Sequence, residues 1–101
     1  MIVRGTTPTI RINVSAVDTA NIAVAYLTIT QNGMTIISKD LSEATVEEGY
    51  LAWTLTQEET LAMSSKCDVS IQCRYRLNDG NAYATRIFTD RPYEVTREGV
   101  I

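Results

Sequence analysis

Between Val69 and Leu77 every second side chain is apolar: Val69, Ile71, Cys73, Tyr75 and Leu77 alternate with Ser70, Gln72, Arg74 and Arg76. Successive side chains of an extended strand point to opposite faces, so this run buries one side only as a β-strand. A strand of that kind is stable only within a sheet whose apolar face is covered by a second layer. The same period recurs at Ile10, Ile12 and Val14 against Arg11 and Asn13. Pro8 precedes that run and has no amide hydrogen to donate, so the strand starts there or lies at a sheet edge. Leu51, Trp53 and Leu55 repeat the pattern, and the sole tryptophan, mid-strand, is expected to anchor the core.

Turn chemistry links these runs. Asn32-Gly33 joins two β-rich segments, and both residues tolerate the positive φ of a type I′ turn. The resulting register pairs Gln31 with Met34, Thr30 with Thr35 and Ile29 with Ile36. It puts Leu27, Ile29 and Ile36 on the core face, and Tyr26, Thr28, Thr30, Thr35, Ile37 and Lys39 on the other. Tyr26 and Ile37 are then apolar groups on a threonine-rich surface, either scattered or part of a docking surface. Glu47-Glu48-Gly49 reads as a second turn after a polar connection. Thr56-Gln57-Glu58-Glu59 has capping-box spacing and predicts a turn or two of helix.

Asn78-Asp79-Gly80-Asn81 predicts another hairpin, with two registers open. A two-residue turn pairs Tyr75 with Ala84. A three-residue loop pairs Tyr75 with Tyr83 and Ile71 with Ile87, and is preferred because it keeps Arg86 out of the core. Tyr93-Glu94-Val95, after Pro92, suggests a last edge strand. The 101 residues form one domain, 1–101, with no repeat or linker. The expected class is all-β, an immunoglobulin-like β-sandwich of about six or seven strands, with one short helical turn near residues 57–63. A small open barrel is the alternative.

Several chemistries are excluded by composition. With no histidine, Ser-His-Asp and Cys-His catalysis and histidine metal sites cannot be built. Cys67 and Cys73 lie too far apart along one strand to bridge, and two cysteines without histidine do not make a zinc site. They are expected to be free thiols. The glycines form no phosphate loop, and no carboxylate pair lies within an apolar stretch, so neither an enzyme nor a cofactor is expected. A net charge of -3, with no basic block, argues against nucleic acid. No apolar run approaches the roughly 20 residues of a membrane span, and the opening residues turn polar too early for a signal peptide, so a cytosolic site of folding is expected. Binding remains. Arg74 and Arg76 share a strand face, and Arg86 and Tyr83 on the hairpin partner are expected beside them as a cationic, partly aromatic patch.

The opening Met1-Ile2-Val3-Arg4-Gly5-Thr6-Thr7-Pro8-Thr9 resembles the start of short proteins from phage and prophage structural clusters of Gram-positive bacteria. The likeness continues through Thr28–Gly33, Leu55–Leu61, Asn78–Ala82 and the ending Glu98-Gly99-Val100-Ile101. The layout is also similar to the immunoglobulin-like N-terminal domain of phage upper-baseplate proteins. The resemblance implies a non-enzymatic head, neck, tail or baseplate component, made in the host bacterial cytoplasm and carried in the virion. Its partners would be other virion subunits and possibly further copies of itself. A carbohydrate- or ligand-binding sandwich is the alternative, and would carry exposed aromatics at its loop ends. The apolar termini, Met1-Ile2-Val3 and Val100-Ile101, either fray or add to a neighbouring sheet edge.

Overall fold

The computed structural model describes residues 1–101 and contains eight strands: β1 (Thr9–Asn13), β2 (Ile22–Gln31), β3 (Met34–Asp40), β4 (Thr45–Glu47), β5 (Tyr50–Thr54), β6 (Val69–Leu77), β7 (Ala82–Ala84) and β8 (Phe88–Asp90). One α-helix, α1 (Gln57–Leu61), joins β5 to the connection before β6, and two 3₁₀ turns cover Thr19–Asn21 and Leu41–Glu43. Strand β6 pairs with β2 along its whole length and with β7 and β8 on its other side. The larger sheet therefore runs β3-β2-β6-β7/β8, and the smaller runs β1-β5-β4. In immunoglobulin lettering these are C′-C-F-G and B-E-D, so the chain is an immunoglobulin-like β-sandwich and not a barrel.

Apolar alternation fills the space between the sheets. Leu51, Trp53 and Leu55 from the smaller sheet meet Ala25, Leu27, Ile29, Val69, Ile71 and Cys73 from the larger, in one buried cluster. The Trp53 ring is fully buried, and its Nε1–H donates to the Asp40 carbonyl at 2.9 Å, which gives the one polar atom of the indole a partner. Thr56 caps α1 as its spacing requires: its hydroxyl accepts from the Glu59 amide, and the Glu59 carboxylate accepts from the Thr56 amide.

The β2–β3 hairpin turns at Asn32-Gly33 with positive φ at both residues, 54° and 74°, and pairs Gln31 with Met34 and Thr30 with Thr35. Beyond Thr35 the expected register fails. Ile36 is an extra residue in a bulge, so Ile29 pairs with Ile37. Ile37 therefore turns into the core at 5 % exposure, and Ile36 is only partly buried. The slip also puts Lys39 opposite Leu27, on the core side rather than the surface. Its ammonium lies 3.1 Å from Glu59 of α1. A bulge and an inward-pointing lysine both discourage addition of a further strand to an exposed edge.

Other departures are smaller. The connection before Glu48-Gly49 contains β4, which brings the count above six or seven. The final strand is divided, because Thr85 interrupts the pairing: its amide donates to the Cys73 carbonyl while its hydroxyl accepts from the Cys73 amide. Tyr75 pairs with Tyr83 as expected, but Ile71 pairs with Phe88, not Ile87. Tyr93 forms no strand and makes a single parallel bridge to Val3. The N-terminal segment is held at Ile2, which is buried at 1 % exposure, while Met1 stays exposed.

Three carboxylates are held below their ordinary range. For Glu59, burial pushes the pKa up, but the Thr56 amide and Lys39 outweigh it and the net direction is down. Glu94 is lowered mainly by Arg4, and Asp40 mainly by the Ser42 hydroxyl. Groups with depressed folded-state values stabilise the fold above the unfolded carboxylate pKa of about 4.3, and that contribution is lost as pH falls through the folded values. With no histidine to titrate, the thermal midpoint is expected to be flat from about pH 5.5 to 8 and to drop below about pH 4.5. Glu59→Gln should lower the plateau and flatten the acid limb, as read by thermal melts across that range.

Candidate functional site

The outer face of the larger sheet carries the residues that the β2 and β6 alternations send away from the core. In register, Val24 faces Arg76, Tyr26 faces Arg74, Thr28 faces Gln72 and Thr30 faces Ser70. Ala84 and Ala82 lie beside Arg74 and Arg76 on β7. Cross-strand neighbours share a face, so Tyr26, Arg74 and Arg76 form one cluster. An open pocket of about 210 Å³ lies among them, lined also by Val24, Tyr75 and Ala82. Tyr26 is 51 % exposed. Neither arginine takes part in the ion pairs of the fold, which engage Arg4, Arg11, Lys39, Arg91 and the N-terminus. Their Cα atoms, two residues apart on one strand, lie about 7 Å from each other, and both side chains leave the same face. They therefore form a positive centre that folding leaves unneutralised.

The structure divides the remaining predicted residues. Ile37 is a core residue and leaves the surface set. Tyr83 pairs with Tyr75 on the core-facing side of the sheet and stacks on it, with ring centres 5.6 Å apart. Arg86 lies over the Phe88 ring at 4.7 Å, and Phe88 sits opposite Ile71 on that same inner side. Tyr83 and Arg86 thus form an aromatic–cation margin on the inner side of the edge strand, apart from Arg74 and Arg76. Ile87 was missed. It is 60 % exposed and lines the outer face with Thr28, Thr30, Ser70 and Gln72. Only the interruption at Thr85 sends it outward, and no sequence periodicity announces that.

One end of the sandwich gathers the loops after β1, between β4 and β5, and between β6 and β7. Asn78 donates to the Asn21 carbonyl and Val14 to the Gly49 carbonyl, which ties the three together. A broad cleft there is lined by residues 15–20 and 46–50. Its carboxylates are mostly engaged: Asp18 accepts from the Ala20 amide and Glu47 from Arg11 at 2.8 Å. The Tyr50 ring is covered by Arg11 at 4.5 Å, so it offers no bare stacking platform. The shifted titratable groups elsewhere have structural causes. Arg4 is raised by hydrogen bonds to Glu98 and Glu94, and burial lifts the Cys73 thiol to about 11. A thiol so protonated is a poor nucleophile. At pH 7.5 a maleimide should therefore label Cys67 alone in the native protein, and both cysteines in denaturant. Intact mass spectrometry reads one adduct against two, and rapid double labelling of the native chain would contradict the burial of Cys73.

Comparison with protein-family models, with curated proteins and with solved structures returned no match.

Proposed function

We propose that this chain is a non-enzymatic structural component of a phage or prophage virion, in the head, neck, tail or baseplate, and that it docks a partner subunit on the outer face of its larger sheet. The observation that carries this reading is the cluster of Tyr26, Arg74 and Arg76: an exposed aromatic beside two unpaired guanidiniums on a rigid, otherwise threonine-rich sheet. Tyrosine and arginine are the residues that dominate protein–protein contact energies. Both edges of that sheet are interrupted, by the bulge at Ile36 and by Thr85, which leaves a face rather than an edge for docking. The resemblance of the termini and turns to phage structural-cluster proteins supplies the virion context. Free Cys67 and Cys73 suit assembly in a reducing host cytoplasm. A ligand-binding module is less favoured, because the aromatic at the loop end, Tyr50, is already covered by Arg11.

The test is incorporation into particles. In virions purified after induction of a strain carrying the gene, the wild-type chain is expected at fixed stoichiometry by quantitative mass spectrometry. The Tyr26→Ser/Arg74→Ser/Arg76→Ser variant should fold with an unchanged far-UV spectrum yet be depleted at least about tenfold, the ratio that 1.4 kcal/mol of lost contact produces. A wild-type chain absent from particles would overturn the virion reading, and a variant incorporated normally would overturn the choice of face.

A further inference from the structure

The loop end of this molecule is acidic. The loop end carries Asp18, Glu47, Glu48 and Asp79, and its loops, residues 15–21, 48–49 and 78–81, contain no lysine or arginine. Glu47 is taken by Arg11, Asp18 by the Ala20 amide and Asp79 by Asn81. Glu48 is left at the tip of the β4–β5 hairpin, exposed and without a hydrogen bond or ion pair to any side chain of the fold. Val46, two residues before it, is 49 % exposed. Among the cations without an ion pair, Arg74 and Arg76 are the two that lie together on the outer face, beside Tyr26 and above an apolar floor of Val24 and Ala82.

Building on the docking face argued above, we infer that its occupant is a second copy of this chain, which presents the tip of its β4–β5 hairpin so that Glu48 meets Arg74 and Arg76 while Val46 packs beside Tyr26. The two halves are complementary in charge and in kind: a carboxylate next to an aliphatic side chain on a tight turn, and two guanidiniums around a small apolar pocket. A carboxylate between two arginines gains charge-assisted hydrogen bonds and relieves the repulsion between them. The hairpin tip belongs to the smaller sheet and the pocket to the outer face of the larger one, so the contact joins unlike surfaces. Such a heterologous contact generates a ring if its rotation closes and a filament if it does not.

Because tip and pocket are separate, each can be disabled alone. Sedimentation velocity of the full chain, in reducing buffer at low salt and over a wide concentration range, should show wild-type oligomers that weaken as salt rises. Glu48→Gln alone and Arg74→Gln/Arg76→Gln alone should each be monomeric under conditions where the wild type is assembled. Both sets of positions are exposed, and an unchanged circular dichroism spectrum confirms folding. Mixing the two variants leaves one working tip and one working pocket per pair. The mixture should therefore give a 1:1 dimer and nothing larger. A wild type that is monomeric throughout, oligomers that survive either variant, or a mixture that stays monomeric or grows past the dimer would each overturn the inference. If the wild type is monomeric but the arginine variant still fails to enter particles, the second copy is ruled out as occupant while the docking face itself stands.

Discussion

Replacing Trp53 with alanine is expected to cost about 3–5 kcal/mol, against a total stability of about 5–15 kcal/mol for a domain of this kind. The ring is fully buried between the sheets, so its removal leaves a cavity that the facing strands cannot close. The indole also fixes the end of β3, because its N–H is the donor to the Asp40 carbonyl. Trp53→Phe separates the two effects: it keeps an aromatic in place but removes that hydrogen bond, and should cost about 1–3 kcal/mol. Urea unfolding followed by far-UV circular dichroism reads both. A Trp53→Ala unfolding free energy within about 1 kcal/mol of wild type would show that the sandwich is not organised around this residue.

Arg4→Ala is the second large effect, expected at about 2–4 kcal/mol although the residue lies near the chain terminus. Its side chain is only 14 % exposed. Nε–H donates to the Met63 carbonyl and an Nη2–H to the Leu61 carbonyl, each at 2.8 Å, while Nη1 engages Glu94 and Glu98. The two carbonyls lie at and just beyond the C-terminal end of α1, where helical oxygens lack partners of their own. One guanidinium therefore ties the N-terminal segment, the helix end and the C-terminal segment together. Glu94 and Glu98 are more than half exposed, so Glu94→Gln and Glu98→Gln should move the midpoint little. Arg4→Lys keeps the charge but loses the fork, and should recover only part of the loss. A full recovery by lysine would mean that charge, not the carbonyl bonds, holds the termini.

Periodicity and turn chemistry carried the fold a long way. The β6 alternation, the Asn32-Gly33 turn, the Thr56 cap and Trp53 all read correctly because each is a local pattern with one physical solution. Legibility failed where the pattern has no phase. Ile36-Ile37 is an apolar doublet, so either residue can face the core, and the bulge that selects Ile37 depends on packing against Ile29. The same slip draws Lys39 inward, which is tolerable only because α1 brings Glu59 to meet it. Thr85 interrupts β7 and β8 with a side-chain hydrogen bond that no spacing announces, and Arg86, Ile87 and Phe88 follow from it. The candidate surface divides along the same line. Tyr26, Arg74 and Arg76 sit on strands of unambiguous phase, and alternation alone turns them outward; Ile37, Arg86 and Ile87 lie beside irregularities, where alternation does not fix the face, and Tyr83 keeps its expected partner Tyr75 but lies on the other face from Arg74 and Arg76.

The central claim is that the outer face of the larger sheet is covered in the assembled particle, and covalent footprinting of tyrosines tests it most directly. Three tyrosines of comparable exposure provide the comparison: Tyr26 at 51 %, Tyr83 at 44 % and Tyr93 at 58 %. In the free chain, diluted until it is monomeric, all three should react with hydroxyl radicals or iodine at similar rates. In purified particles Tyr26 should be protected at least about tenfold, as expected for a residue at the water-excluded centre of an interface, while Tyr83 and Tyr93 stay reactive. Tyr26 reacting as fast in particles as in the free chain would contradict the account.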